Sequence, residues 1–249
     1  MTASVLLSRR SNAVVWTVIA MLLGCSSEPP APTAKAPQDS VPASAALVPW
    51  NSDTLKDSEF TVEEGFRPLT LSNFEPFFAK LPQSPQPTWV SMHDAIVCFG
   101  KPKGYLYSKE NFADFTLRLE IRFAPPTDEA AANKFHPNTG VMLHITEPHK
   151  QWPKSLEVQG RFADLATIKE NGGAAKVEIV DDGAARESAR KPVGEWNALE
   201  ILSKSGTVTS LLNGTKVCES QASDVTSGMI GLQSEEFEVH FRRLRIRTE

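Results

Sequence analysis

The chain has 249 residues, of which 41% are hydrophobic and 22% are charged, with 26 basic and 30 acidic residues. This length accommodates one large β domain or two small ones. The excess of acid argues against a nucleic-acid partner, because such partners select basic surfaces.

The first 24 residues have the organisation of a secretory signal. Arg9 and Arg10 precede the apolar run AVVWTVIAMLLG, which is short for a membrane span but suits the hydrophobic region of a signal peptide. The run ends in LLGC, residues 22–25, which resembles a bacterial lipobox. That resemblance implies cleavage before Cys25, acylation of Cys25 and a location outside the cytoplasm, on the periplasmic or outer-membrane face of the cell envelope. The alternative is a short, uncleaved transmembrane anchor.

A disordered tether is predicted over residues 25–64. Its stretch SSEPPAPTAKAPQDSVPASAALVP is rich in Pro, Ala and Ser and has no hydrophobic period, so it cannot bury a core. The folded domain is expected over residues 65–249. Its two cysteines, Cys98 and Cys218, match no metal or redox spacing, and both a disulfide and two buried free thiols remain open.

Short strand-like runs recur along the folded part, among them TWVSM, AIVCFG, FTLRLEIRF, GVMLHI, SLEVQG and VHFRRLRIR. Many short strands separated by turn residues predict an all-β fold, an antiparallel β-sandwich or barrel. A short helix is predicted over residues 73–80, NFEPFFAK, and hairpin turns at residues 204–206 and 213–214. In VHFRRLRIR the apolar alternation slips by one residue, which predicts a β-bulge at Arg242 and Arg243.

Polar side chains on the predicted strand faces are the candidates for a site. In SLEVQGR, Glu157 and Gln159 alternate with apolar residues and should share one face. Similar pairs occur on three more strands: Glu120 with Arg122, Met142 with His144, and Gln233 with Glu235. We expect these pairs to line one side of a sheet and to form a groove for a sugar, whose hydroxyls need polar partners and whose C–H face stacks on an indole.

The stacking candidates are Trp89, Trp152 and Trp196, although for each of them alone core packing is the favoured role. An exposed, idle strand face with cross-strand ion pairs explains the charged residues as well. No metal motif is present. VDDGA, residues 180–184, offers oxygen ligands but lacks the spacing of a calcium loop, so no cofactor is predicted and a divalent cation such as calcium stays open.

Several segments in order, KPKGYLYSKENFADFTLRLEIRF, NTGVMLHI, WPKSLEVQG, KPVGEWNALEI, LLNGTKV and SGMIGLQSE with EVHFRRLRI, resemble the 3-keto-disaccharide hydrolase family over about residues 65–249. The resemblance implies a concanavalin A-like jelly-roll sandwich, often on a secreted lipoprotein. It also implies cleavage of a glycoside whose 3-hydroxyl has been oxidised to a ketone. A ketone at C3 acidifies the C2 hydrogen, so a base can start elimination of the glycosidic oxygen, and water then adds to the product.

The resemblance also implies site residues. LEIR supplies Glu120 and Arg122, NTG supplies Asn138, and EVQ supplies Glu157 and Gln159. Glu157 or Glu120 is then the expected base, Arg122 the group that stabilises the enolate, and Gln159 and Asn138 substrate contacts. His144, Trp152 and Gln233 are expected to contact substrate in the same groove.

Two other functions fit the same sandwich, because one fold hosts many activities. One is a non-catalytic, lectin-like module that holds glycan on the cell envelope, and the other is a structural envelope protein with an inert charged sheet. The expected partner is a carbohydrate, as substrate or ligand. Contact with the membrane is expected only through the lipid anchor, and the sequence does not determine the oligomeric state.

Overall fold

Alternating apolar residues build two antiparallel sheets in the computed structural model, which describes residues 55–82 and 85–249. The predicted signal, Cys25 and most of the predicted tether lie outside these residues. Among helices of the described part, none has the length and apolar composition needed to span a bilayer.

The strands, in chain order, are β1 (Arg67–Pro68), β2 (Phe74–Phe77), β3 (Trp89–Met92), β4 (Ala95–Cys98), β5 (Gly104–Ser108), β6 (Phe115–Phe123), β7 (Gly140–Ile145), β8 (Ser155–Gln159), β9 (Ile168–Asn171), β10 (Ile179–Asp181), β11 (Asn197–Lys204), β12 (Thr207–Leu212), β13 (Thr215–Ser220), β14 (Met229–Ser234) and β15 (Val239–Thr248). The helices are α1 (Glu129–Ala132) and α2 (Gly183–Ala189). The nine-stranded sheet has the order β10-β13-β12-β11-β6-β15-β4-β3, with β1 beside β15. The six-stranded sheet has the order β2-β5-β14-β7-β8-β9.

The two sheets pack face to face over one apolar core, so the predicted antiparallel β-sandwich is confirmed. Leu119 and Ile121 of β6 belong to the same buried cluster as Leu156 and Val158 of β8. Each of these side chains contributes about 1.5–3 kcal/mol by leaving water. Truncation of Leu119 to alanine should therefore cost about 2–5 kcal/mol of folding free energy.

The helix predicted over residues 73–80 is wrong. Residues Leu71–Asn73 form one 3₁₀ turn, and the chain then continues as β2, paired with β5 from Phe74↔Ser108 to Phe77↔Tyr105. Phe74 is buried in the core, and Pro76 is tolerated because β2 is an edge strand. Tertiary pairing therefore overrides a pattern that was too short to define a helix.

The predicted hairpin turns and the β-bulge are confirmed. Asn213 and Gly214 have φ angles of 50° and 83°, as a two-residue hairpin turn requires. The pairing of β15 with β6 shifts between Arg242 and Arg245, and Arg243 has a φ of 52°. This bulge points Arg242 and Arg243 to the same outer side of the nine-stranded sheet, where both bind Glu120.

Packing on the domain starts before residue 65. Leu55 is buried with Ala95 and Val97 against the outer side of the nine-stranded sheet, and the Asp57 carboxylate binds Arg243 at 2.6 and 2.9 Å. Residues 55–64, which were predicted to belong to the tether, therefore pack on the sheet. Cys98 and Cys218 are both buried free thiols.

Candidate functional site

The outer side of the six-stranded sheet carries most of the predicted site residues, and we call it the site face. Glu157 and Gln159 point to it because Leu156 and Val158, between and beside them, point into the core. Strand register defines neighbouring rows across this face. One row runs Phe77, Tyr105, Gln233, Gly140 and Gln159, and the next runs Glu75, Tyr107, Gly231, Met142, Glu157 and Lys169.

Gly140 lets two polar side chains meet above the backbone of β7. Gln233 comes from β14 and Glu157 from β8, the strands on either side of β7, and the Gln233 side chain hydrogen-bonds the Glu157 carboxyl. A Cβ atom on Gly140 would lie 2.5 Å from Gln233 Oε1 and 2.6 Å from Glu157 Oε1. Any larger residue at position 140 would therefore displace the pair.

The environment of Glu157 favours its protonated form. Burial raises the pKa of the Glu157 carboxyl to about 7, and repulsion from Glu235 and Asp164 acts in the same direction. The hydrogen bond from Gln233 and the charge of Lys169 act in the opposite direction. A carboxyl group with a pKa near neutrality can both accept and return a proton at physiological pH.

A second carboxyl group lies just past the end of β14. The Asn138 Nδ2 group donates a hydrogen bond to the Glu235 carboxylate, and burial raises the pKa of Glu235. Asn138 Oδ1 and Gln233 Oε1 are buried, and neither has a hydrogen-bond partner in the described part of the chain. Such buried acceptors cost free energy unless a donor reaches them, and sugar hydroxyls are suitable donors.

Lys169 brings positive charge to the same face. It lies opposite Glu157 in the β8–β9 register, and its Nζ atom is 2.6 Å from Asp164 Oδ2. Arg161 binds the same aspartate through Nε at 2.6 Å, and its backbone N–H donates to Gln159 Oε1 at 2.8 Å. The loop between β8 and β9 therefore holds both Lys169 and Gln159 in place.

Aromatic side chains cover the other half of the site face. The Tyr105 hydroxyl and His149 Nδ1 are 2.9 Å apart, and the rings of Tyr107 and His149 lie with centroids 4.1 Å apart. Trp152, from the loop between β7 and β8, packs on the buried cluster that contains Met142, the register partner of Glu157. Trp152 is half-buried, so part of its indole remains open to solvent.

The structure thus brings together five of the predicted residues: Asn138, Trp152, Glu157, Gln159 and Gln233. It does not bring Glu120 and Arg122 to them, and the prediction that all these residues line one face is wrong. Strand β6 pairs with β11 and β15 in the nine-stranded sheet, so its polar side chains point away from the core on the opposite side of the sandwich.

Glu120 and Arg122 lie on what we call the arginine face, the outer side of the nine-stranded sheet with Arg118, Arg242, Arg243 and Arg245. The Glu120 carboxylate binds Arg242 Nε at 2.7 Å and Arg243 Nη1 at 2.9 Å. The Arg122 guanidinium lies 4.6 Å from the ring centroid of Trp196, and Nη2 is 3.2 Å from His240 Nδ1. These contacts explain Glu120 as part of an ion-pair network and Arg122 as a side chain packed against Trp196 and His240.

His144 does not reach the groove, and its prediction as a substrate contact is wrong. The pairing of β7 with β14 is irregular between Met229 and Gly231, and His144 has a φ of 57°. Its ring is fully buried, with Nδ1 2.9 Å from Val225 O and Nε2 3.1 Å from Ser203 Oγ. Burial lowers the pKa of His144, which holds it as a neutral structural histidine.

Sequence reasoning missed Lys169 and gave Glu235 no role. Both follow the alternation of their strands, IKEN for Lys169 and QSE for Glu235. This alternation indicates which side of a strand a residue occupies, but not which strand lies next to it. The β8–β9 pairing that sets Lys169 against Glu157 depends on an intervening loop, whose register the sequence does not state.

Two clefts lie away from the site face. One, of about 260 Å³, is lined by Asp57, Phe60 and Arg243 among others, and another, of about 220 Å³, by Arg118, Glu120 and Glu200 among others. Asp57, Glu120 and Glu200 in these clefts are ion-paired to arginine. We therefore locate the chemistry by the buried, unpaired polar groups of the site face and not by cleft volume.

The aspartates of VDDGA have protein partners. Asp181 pairs with Arg186, and Asp182 Oδ1 accepts a hydrogen bond from Ala185 N at 2.9 Å, which caps α2. Within residues 55–82 and 85–249, no group of three or more His, Cys, Asp or Glu side chains is arranged to hold a metal ion.

The family of the chain follows from its match to a family model. The 3-keto-alpha-glucoside-1,2-lyase-like domain matches residues 65–247, which include both sheets and the whole site face. The chain belongs to this family. Membership in the 3-keto-alpha-glucoside-1,2-lyase-like family supports a carbohydrate-active function, in agreement with the polar and aromatic make-up of the site face.

Solved structures support the fold. A "putative glycosyl hydrolase" from Parabacteroides distasonis ATCC 8503 is 20% identical to this chain, with a TM-score of 0.53. The match covers 74% of this chain and 99% of that protein. Another protein of that organism with the same description is 18% identical with a TM-score of 0.51, and covers 76% and 98%. No curated protein matches the chain.

Proposed function

We propose that this protein cleaves glycosides whose sugar carries a ketone at C3, and that Glu157 is the base that removes the C2 proton. The observation that carries the proposal is the Glu157 carboxyl itself. It is half-buried, it meets Gln233 over Gly140, and the burial of the carboxyl group raises its pKa to about 7. Such a group is suited to proton abstraction next to a carbonyl, because its basicity is matched to neutral pH.

The first step makes an enolate. The ketone at C3 acidifies the C2–H bond, Glu157 takes that proton, and negative charge develops on the C3 oxygen. A positive group must face this oxygen. Lys169, opposite Glu157 in the β8–β9 register, supplies that charge in place of Arg122, which lies on the arginine face.

The remaining polar groups hold the sugar. Asn138 Oδ1 and Gln233 Oε1 accept hydrogen bonds from hydroxyls, since both are buried and lack partners within the described chain. Gln159 lies in the same row as Gln233, and Trp152 offers an indole for the C–H face of a ring. Collapse of the enolate then expels the glycosidic oxygen from C1, and two flanking carboxylates at an oxocarbenium ion are not required.

We further propose that the domain works outside the cytoplasm, anchored through an acylated Cys25. The support is the sequence alone, where a short apolar run precedes LLGC. An oxidoreductase that converts the 3-hydroxyl of the sugar to a ketone would supply the substrate. Metabolic labelling with a fatty acid tests the anchor: Cys25→Ala should abolish the label, and label that persists would contradict it.

The decisive experiment incubates the purified protein with a 3-keto disaccharide and follows release of the second sugar. Glu157→Gln should lower kcat/KM by at least about a hundredfold, because it removes the base. Glu120→Gln changes the same atoms on the arginine face and should keep most of the activity. Equal activity of wild type and Glu157→Gln would contradict the role of Glu157, and loss in Glu120→Gln alone would move the base to the arginine face.

A non-catalytic glycan-binding module is the second candidate, favoured by the two unpartnered acceptors and by the aromatic half of the site face. It predicts glycan binding by the wild type without release of any leaving group, on several linkages. Asn138→Ala should then weaken binding, since it removes one hydroxyl acceptor. Cleavage of a 3-keto glycoside by the wild type would exclude this candidate.

A further inference from the structure

Glu235 lies close enough to the proposed base to raise the pKa of Glu157, and its carboxylate accepts a hydrogen bond from Asn138. It follows β14 two residues after Gln233, one row beyond the row that contains Gln233 and Gly140. Its hydrogen-bond partner Asn138 precedes Gly140 by two residues on the neighbouring strand. The Glu235 carboxyl and the Glu157 carboxyl therefore lie on one face, on either side of Gln233 and Gly140.

Two acceptor atoms near the two carboxyl groups have no hydrogen-bond partner in the described residues. Gln233 is 1% exposed, and its Oε1 atom has no hydrogen-bond partner in the described residues. Asn138 Oδ1 is also buried and has no hydrogen-bond partner in the described residues. The Nδ2 group of Asn138 donates to the Glu235 carboxylate and orients it. A sugar whose hydroxyls satisfy these two acceptors would present its ring between Glu157 and Glu235.

We propose that Glu235 is the second proton-transfer residue of this site: it protonates the departing glycosidic oxygen and afterwards deprotonates the water that adds to C1. This inference rests on the proposed function, because it needs the C2 chemistry of Glu157. It adds that one pair of carboxyl groups performs both elimination and hydration. The net reaction is then hydrolysis, with no further enzyme needed for the second half.

The proton balance closes over the two steps. In elimination, Glu157 takes the C2 proton, the C1–O bond breaks, and Glu235 gives its proton to the leaving oxygen. This leaves an enone, a free alcohol, a protonated Glu157 and an ionised Glu235. In hydration, water adds to C1 and loses a proton to Glu235, and the resulting enolate takes the proton of Glu157 at C2. Both residues have then returned to their starting states.

The environment of Glu235 suits this part. Burial raises its pKa, the same direction as for Glu157, whereas the charge of Lys103 and the hydrogen bond from Asn138 act against the increase. Repulsion from Glu235 is also one cause of the raised pKa of Glu157, so the two groups are within interaction range. A pair of interacting carboxyl groups shares one proton near neutral pH, and the reactive arrangement is the one that carries this proton on Glu235 and leaves Glu157 ionised.

The test compares two leaving groups. Glu235→Gln should lower kcat/KM on a 3-keto disaccharide by about 10²–10³-fold, because a sugar alkoxide needs protonation to depart. On a 3-keto nitrophenyl glucoside the same variant should lose less than about tenfold, because nitrophenolate leaves without a proton. The nitrophenyl arm also shows that the variant is folded. Glu236→Gln is the matched control, since Glu236 is exposed and pairs with Lys103.

A second readout follows the product. With the nitrophenyl substrate, Glu235→Gln should release nitrophenol and accumulate the enone, seen by its ultraviolet absorbance, because hydration has lost its base. The wild type should give only the 3-keto sugar. Equal loss on both substrates, no loss on either, or no enone would overturn the role of Glu235. Failure of the proposed function is distinct: the wild type would then cleave neither substrate, or Glu157→Gln would match it.

Discussion

Both outer faces of the sandwich carry carboxylates, but the surroundings on the two faces shift carboxylate pKa values in opposite directions. On the arginine face, Glu120 binds two arginines, and Arg243 and Arg245 hold the pKa values of Asp57 and Glu63 below their usual range. On the site face, burial raises the pKa values of Glu157 and Glu235.

The difference lies in what surrounds each carboxyl group. The arginine face supplies a guanidinium for each of Asp57, Glu63, Glu120 and Glu200, and the aromatic rings of Phe60, Phe66 and Trp196 lie against the same arginines. The site face leaves carboxyl and amide oxygens with few or no partners. Fully paired charges indicate a structural surface, whereas buried and incompletely satisfied ones indicate a site.

Substitution of Gly140 should have the largest effect of the tests that sharpen this contrast. In Gly140→Ala the new Cβ would lie within 2.6 Å of both Glu157 Oε1 and Gln233 Oε1, so the pair must separate. Because both atoms end flexible side chains, we expect less than about 1 kcal/mol of lost stability but about a hundredfold lower kcat/KM. Thermal unfolding and kinetics check this.

Gly183→Ala is the control for that substitution, since its Cβ would meet only Arg186 Nη1, at 3.7 Å. Wild-type kinetics for Gly140→Ala would show that the contact between Glu157 and Gln233 does not matter for cleavage.

Stability should respond in opposite directions on the two faces. The folded protein binds the Glu157 proton more tightly than the unfolded chain does, because the pKa of Glu157 is raised to about 7. The stability that this proton contributes is complete below the unfolded pKa and is lost as the pH rises through about 7. Glu157→Gln should therefore stabilise the protein at pH 8, by about 2 kcal/mol. Glu120→Gln should destabilise it by about 1–3 kcal/mol, since two guanidinium groups lose a partner. Urea unfolding at pH 8 measures both, and equal signs would contradict the contrast.

The smallest effect concerns the pH profile of cleavage. On a 3-keto nitrophenyl glucoside, whose leaving group needs no proton, only the ionised base Glu157 is required, so kcat/KM should increase with pH through an inflection near pH 7. Lys169 lowers that pKa, whereas Glu235 and Asp164 raise it. Lys169→Met should therefore move the inflection to higher pH, in addition to lowering the rate. An inflection that moves to lower pH would exclude Lys169 as the charge that faces Glu157.

Alternation along single strands was readable from the sequence and carried most of the prediction. FTLRLEIRF and SLEVQGR each show which residues face the core, and the structure confirms this for Leu119, Ile121, Leu156 and Val158. The phase slip at Arg242 and Arg243 and the turn at Asn213 and Gly214 are also local features, and both were predicted correctly. The local rules for strands and turns are enough to predict such features.

The sequence does not indicate which strands lie next to each other in a sheet. Glu120 and Glu157 have equivalent settings in the sequence, each between apolar neighbours, yet β6 and β8 belong to different sheets. For the same reason the sequence did not predict a role for Lys169, whose position depends on the β8–β9 register. It also did not predict that an irregular stretch of β7 turns His144 into the core.

By itself, the sequence determined an all-β domain, the core side of its strands and, through family resemblance, a carbohydrate-active function. Only the tertiary structure decided which carboxylate is ion-paired and which has its pKa raised by desolvation and a second carboxyl group. The physical reason is that a pKa depends on desolvation and on charges brought close by non-local strand pairing, whereas side-chain alternation is a property of one strand alone.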